Sequence, residues 1–244
     1  MAGSWEQDLR ANLERARARV RAAARRAGRE PGQVRLMAVA KTVPAEQVAA
    51  LARLGVRYFG ENRVEEAEGK LPLIRDLLGP DLFAACRWCL VGHLQSRKAA
   101  RAVRLFDEIH SVDSVRLATR LDRLAAEQGR VLPVLLELNV SGEASKYGLA
   151  AGAWAQLAAE IEAIVGLRHL AVGGLMTVAP LAADPETVRP VFARLRELRD
   201  ALARRWPALP WQELSMGMSD DYEVAVEEGA TMIRLGRALF GART

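Results

Sequence analysis

Lys41 closes the run Leu36-Met37-Ala38-Val39-Ala40-Lys41, five apolar residues followed by an amine. If the run is a strand of an α/β barrel, that amine stands at the C-terminal end, where such barrels carry their active sites. Partial burial there disfavours the ammonium form and lowers its pKa. A neutral amine attacks an aldehyde and forms a Schiff base. The alternative is a strand-end lysine snorkelling to solvent, and position alone leaves both readings open. Lysine usage favours the first. Of 35 basic residues only Lys41, Lys70, Lys98 and Lys146 are lysines. The chain uses arginine for plain positive charge, so a retained lysine points to a need for its amine.

A second chemistry is written near the C-terminus. The stretch Leu214-Ser215-Met216-Gly217-Met218-Ser219-Asp220-Asp221 brings small and hydroxyl residues to the start of a helical segment. Exposed backbone N–H groups there favour an anion. Arg234-Leu235-Gly236 follows, with a glycine that lets the backbone approach a ligand closely. Barrels often bind phosphate after strands seven and eight. Either segment alone is equally well an ordinary capped turn; the two at these positions favour phosphate. Asn62, His93, Gln95 and Asn139 also end apolar runs. Each alone has a structural reading, but together they ring one end of a barrel with uncharged hydrogen-bonding groups, which suits a polar heteroaromatic ligand. His110 and His169 show no partner spacing and are expected to be structural.

The elements that must position these residues are short apolar runs alternating with amphipathic stretches. The runs are Val34–Lys41, Tyr58–Asn62, Trp88–Gln95, Glu108–Asp113, Leu132–Val140, Leu170–Val178, Glu213–Ser219 and Met232–Phe240. The helical stretches between them cover 44–54, 63–78, 96–105, 114–128, 150–164, 187–205 and 220–229. Near-continuous apolar runs fit parallel strands covered on both sides. Eight of them predict an α/β protein, a single (β/α)8 barrel of the TIM type over 1–244, with a doubly wound sheet as the alternative. Ahead of the barrel, Ser4 to about Arg26 reads as an extra helix, Ser4 and Gln7 forming a capping box and Leu9, Leu13, Ala16, Val20 and Ala23 recurring at helical spacing. The segment 1–30 is expected to pack on the barrel.

Composition narrows the function classes. Half of the 244 residues are hydrophobic, yet no apolar run reaches the ~18 residues of a membrane span. No apolar signal core opens the chain, and Glu6, Asp8 and Glu14 argue against a transit peptide, so a cytoplasmic protein is expected. The net charge of +5 comes from arginines interleaved with acids and alanines, without an aromatic-rich basic stripe, so nucleic acid is not expected as a partner. Cys86 and Cys89 form one C-x-x-C with no second pair, so no metal site is expected. If both lie in the strand they point to opposite faces, ~10 Å apart, too far for a disulfide. Buried thiols in a reducing compartment are expected. There is no H-E-x-x-H, P-loop or Rossmann glycine pattern.

Taken in order, the segments Leu36–Thr42, YFGEN (58–62), GHLQS (92–96), IHSVD (109–113), NVSGEASKYG (139–148), GGLMT (173–177), LSMGMSD (214–220) and RLGRALFG (234–241) resemble the pyridoxal phosphate homeostasis protein family. The match runs from the first strand to the C-terminus. The resemblance implies a fold-type III pyridoxal 5′-phosphate (PLP) barrel, alanine racemase-like, with Lys41 carrying the Schiff base. It implies phosphate contacts from Ser215, Gly217, Met218, Ser219 and Gly236, Arg234 facing the pyridine nitrogen, and Asn62, His93, Asn139 and Met176 completing the cofactor site. One departure is Arg97, where the family commonly has Asn; no ligand role is assigned to it. Lys146 is left between a secondary PLP or transfer site and an exposed structural lysine.

The function implied is a PLP carrier or buffer, binding PLP and serving apo forms of PLP-dependent enzymes, expected as a monomer with no membrane partner and no useful turnover. An arginine at the ring nitrogen stays protonated and weakens the ring as an electron sink. The rivals are an amino-acid racemase and a basic RNA- or protein-binding scaffold. Racemases of this fold use a second, β-rich domain, and only Gly241 to Thr244 follow the eighth run. Salt-dependent nucleic-acid binding would mark the scaffold.

Overall fold

The computed structural model describes residues 3–143 and 145–241, with side chains from Trp5 onward. Eight strands close a parallel barrel: β1 (Arg35–Val39), β2 (Tyr58–Glu61), β3 (Arg87–Leu90), β4 (Glu108–Val112), β5 (Leu132–Asn139), β7 (Leu170–Met176), β8 (Glu213–Ser215) and β9 (Met232–Leu235). A two-residue strand, β6 (Leu149–Ala150), pairs with β5 outside the ring. The order is β4-β3-β2-β1-β9-β8-β7-β5, and a β4–β5 pairing joins the ends. That closure excludes the doubly wound sheet.

The helices follow the strands as expected: α2 (Ala45–Arg53), α3 (Val64–Leu78), α5 (Ala99–Leu105), α6 (Val115–Glu127), α7 (Trp154–Val165), α8 (Arg189–Arg205) and α9 (Tyr222–Glu227). Two short helices, α4 (Pro80–Ala84) and α10 (Arg237–Phe240), carried no periodicity to read. The eighth run is therefore divided: its first four residues are strand and the rest begins α10. The third run likewise stops at Leu90. A Cβ on Gly92 would stand 2.3 Å from the Asn62 carbonyl oxygen, so glycine lets the β3 exit lie against the β2 exit.

The outward side chains of the strands, among them Ala38, Phe59, Ile109, Leu136, Leu175, Leu214 and Ile233, share one buried core with the helices. Inside the ring, Met37, Cys89 and Met232 form a separate cluster. Inside and outside thus alternate along strands whose sequence is apolar on both faces. The helix α1 (Gly3–Arg26) buries Leu9, Leu13, Ala16, Val20 and Ala23, each buried leucine or valine stabilising by about 2 kcal/mol. Asn12 donates to the Leu239 carbonyl at 2.9 Å, and Arg29 to the carbonyls of Val226 (2.6 Å) and Ala230 (3.0 Å), tying α1 and its exit to the end of the barrel. The side chain of Ser4, on which the expected capping box rests, lies outside the described residues.

The floor of the ring is polar. Arg35 pairs with Glu213 and donates to the Tyr58 hydroxyl at 3.1 Å. His110 meets Glu108 at 2.9 Å. Cys86 precedes β3 and joins the outer core, whereas Cys89 points inward; both thiols are free and buried. The register Cys89↔Glu108 brings Cys89, Glu108 and His110 together, their donor atoms within 4.8 Å of one another. Spacing within one segment could not show this three-donor group. It is one ligand short of a closed zinc site.

Candidate functional site

Lys41 stands half-buried just beyond β1, at the C-terminal mouth. The turn that carries it is held on both sides. Ala40 N–H donates to the Gly60 carbonyl at 2.8 Å. Thr42 adopts φ 61°, a left-handed conformation rare for a β-branched residue, and its N–H is bonded to Glu66. Lys70, buried, donates to the Ala40 carbonyl (2.6 Å), Glu61 (2.9 Å) and Glu66 (2.8 Å). Burial pushes the Glu61 carboxyl up against the pull of Lys70.

The exits of β8 and β9 lie beside that turn. Gly217 has φ 91°, and a Cβ there would meet the Ala225 Cβ at 2.5 Å, so only glycine fits. Among the described residues, no acceptor takes the N–H groups of Gly217, Ser219 or Gly236. Met218 differs: its N–H donates to Asp221 Oδ1 at 2.6 Å. Ser219 Oγ accepts from Ala238 N–H at 3.1 Å and pins the two exits together. Gly236 lies against β1, a Cβ there standing 3.7 Å from the Val39 carbonyl oxygen.

Below these donors sits Arg234, buried in the ring. Its Nη1 donates to Ser215 O (2.7 Å) and Ser215 Oγ (2.9 Å), and its Nη2 to Thr177 O (2.8 Å). Ser215 therefore holds Arg234. A guanidinium has five N–H donors, and three hydrogen bonds are formed here. Burial lowers the Arg234 pKa to about 10 against the pull of Glu137 and Asp221, leaving it protonated at neutral pH. Glu137, Met176 and Ser215 are register neighbours on β5, β7 and β8 and complete this layer.

Glu137 was not foreseen as a site residue. It is buried with Oε2 lacking a partner among the described residues. Burial and the Asp113 charge push its carboxyl up from 4.5 to about 7, against Arg234. A carboxyl raised on folding holds its proton more tightly in the folded chain. Its contribution is intact below about pH 4.5 and is lost as the pH rises through about 7. The cost at pH 8 is about 3 kcal/mol. Glu137→Gln should therefore be more stable than the parent at pH 8 and should flatten stability between pH 5 and 8. Urea unfolding of the cofactor-free proteins at both pH values checks this; equal pH slopes would contradict it.

The remaining ring residues take different parts. Asn62 follows β2, with no side-chain hydrogen bond among the described residues. His93 pairs with Asp113 at 2.9 Å and stacks on Tyr147 at 3.7 Å. Asn139 folds its own loop: Nδ2 donates to the Glu143 carbonyl at 2.9 Å, and Oδ1 accepts from Gly142 N–H at 3.0 Å. Lys146 reaches the Val178 carbonyl at 3.2 Å and Glu143 at 3.3 Å. With Arg97, Arg116, His93 and Tyr147 it lines an open cleft of about 660 Å³ beside the mouth.

The alanine racemase N-terminal domain family matches residues 11–244. The pyridoxal phosphate homeostasis protein of Aquifex aeolicus is 41% identical over 232 residues, 95% of this chain and 96% of that one. Two solved structures superpose closely. PipY of Synechococcus elongatus PCC7942, solved with PLP bound, is 39% identical with a TM-score of 0.81, over 96% of this chain and all of that one. A Bifidobacterium adolescentis protein is 34% identical with a TM-score of 0.87, over 98% and 97%. With this barrel, this strand-end lysine and these identities, the chain belongs to the pyridoxal phosphate homeostasis protein family, on the alanine racemase N-terminal domain fold.

Proposed function

We propose that this chain holds PLP at the barrel mouth through Lys41 and acts as a carrier or buffer in intracellular PLP homeostasis. The observation that carries the reading is a strand-end lysine at the β1 exit beside the β8 and β9 exits, where the N–H groups of Gly217, Ser219 and Gly236 have no acceptor among the described residues, above a buried arginine. When bound, PLP supplies an aldehyde that a lysine takes as a Schiff base and a ring that can withdraw electrons. The three N–H groups receive the phosphate, with Ser219 holding the two exits together. Met218 supports this cradle through its bond to Asp221 and contributes no backbone donor of its own. Asn62, His93 and Met176 border the ring, and Asn139 shapes the loop beside it.

Arg234 faces the pyridine nitrogen in this reading. Held on Ser215 and Thr177, it stays protonated at neutral pH and leaves that nitrogen without a proton, which blunts carbanion chemistry. The chain works as a monomer in the reducing cytoplasm, where Cys86 and Cys89 remain thiols, and its protein partners are apo forms of PLP-dependent enzymes. No helix among the described residues is long and apolar enough to cross a membrane.

The test loads the protein with PLP and incubates it with L- and D-amino acids, following enantiomer ratio and keto-acid formation. Cofactor transfer to an apo-enzyme is followed in parallel. Transfer is expected with amino-acid turnover far below ~1 per second. Turnover above that rate, abolished by Lys41→Ala, would replace the carrier with an enzyme.

A further inference from the structure

We propose that Lys70 is a positioning residue that fixes the direction in which Lys41 projects. The inference rests on the reading of Lys41 as the Schiff-base lysine. Lys70 lies on α3, nine residues beyond Glu61 at the end of β2 and one helical turn beyond Glu66. Its ammonium has three N–H donors, and three acceptors meet it: Ala40 O, Glu61 Oε1 and Glu66 Oε1. Two of these lead directly to the backbone flanking Lys41. The Ala40 carbonyl belongs to the peptide bond that enters Lys41. The Glu66 oxygen also accepts the N–H of Thr42, the residue that leaves it. Lys41 is thus bracketed by one bonded circuit running from Ala40 O through Lys70 and Glu66 to Thr42 N–H.

The circuit explains two features together. Thr42 holds φ 61°, a conformation that costs a non-glycine residue about 1–2 kcal/mol and persists only where its surroundings over-determine it. The Glu66 bond to its N–H supplies that constraint. The second feature is a largely buried ion cluster bonded to the backbone on both sides of Lys41. Buried ion pairs add little stability over apolar residues of similar volume, and their best-attested use is to specify one geometry. Here the geometry specified is a turn of three residues, 40–42, whose middle side chain is Lys41. The Glu66 carboxyl is held below its usual range, since the bonds from Lys70 and Thr42 outweigh the effect of burial.

The experiment uses two ligands of the same pocket. PLP carries the aldehyde that Lys41 takes; pyridoxine 5′-phosphate has the same ring and phosphate with an alcohol in its place. The rate of Schiff-base formation with PLP is followed by stopped-flow absorbance, and pyridoxine 5′-phosphate affinity by competition. Lys70→Met is expected to slow Schiff-base formation by about tenfold or more, as for a misaimed reactive group. Its pyridoxine 5′-phosphate affinity should stay within about twofold of the parent, well under the 1.4 kcal/mol that tenfold represents. Glu66→Ala, at a partly exposed side chain, should show the same split, and Glu66→Gln, which keeps an acceptor for Thr42 N–H, should recover most of the rate. It also carries the test if Lys70→Met folds poorly. Equal losses for both ligands, an unchanged rate with PLP, or a Glu66→Gln as slow as Glu66→Ala would overturn the positioning role. A Lys41→Ala protein that keeps the Schiff-base band would instead overturn the reading beneath it.

Discussion

Lys41→Ala is expected to lose the Schiff-base absorbance band completely while keeping its fold. The side chain is half-buried at a strand exit rather than deep in the core, so the fold should survive its removal. The proposed phosphate cradle is untouched, so PLP should still bind, about 100-fold more weakly, which is about 2.7 kcal/mol. A PLP titration read by absorbance, beside circular dichroism and thermal unfolding, separates these effects. An intact band in a folded Lys41→Ala protein would move the Schiff base to another lysine.

Gly236→Asp should be nearly as damaging for a different reason. A Cβ at this position meets only the Val39 carbonyl oxygen, at an ordinary 3.7 Å, so the fold accepts a Cβ there and Gly236→Ala serves as the steric control. What changes is charge. Two unit charges about 5 Å apart at an effective dielectric near 20 repel by about 3 kcal/mol, and a phosphate dianion exceeds one unit. PLP affinity should fall by about 100-fold or more, whereas Gly236→Ala should stay within about threefold and pyridoxal, without the phosphate, should bind both variants alike. An aspartate variant that binds PLP as the glycine parent does would remove phosphate from this part of the mouth.

The fold, and the rim on which the candidate residues lie, were legible because a parallel barrel converts a linear rule into a spatial one. Every strand runs the same way, so residues at or just beyond the strand ends must share one rim, and Lys41, Asn62, His93, Asn139, Gly217 and Gly236 do. What stayed hidden depended on register and on contacts between elements. Glu137 is a lone acid in an apolar strand, and its sequence signal, a charge at an inward position, acquires meaning only once the ring is closed. The Cys89–Glu108–His110 group needs the β3–β4 register. The bonds from Lys70 to Ala40 and Glu61 cross from α3 to the β1 and β2 exits, and only its pairing with Glu66 has a spacing visible in sequence. Within Ser215–Ser219, side chains and N–H groups divide between supporting Arg234, capping onto Asp221 and having no acceptor among the described residues, which residue types alone do not sort.

The central claim is that Lys41 and no other lysine carries the cofactor. Borohydride delivers hydride to the C=N carbon, and with a proton from water the Schiff base becomes a stable secondary amine. Reduction of the PLP-loaded protein, followed by proteolysis and mass analysis, therefore records which lysine was bonded. The account predicts one phosphopyridoxyl group per chain on the peptide containing Lys41. A sole adduct on the peptide containing Lys70, Lys98 or Lys146 would contradict it.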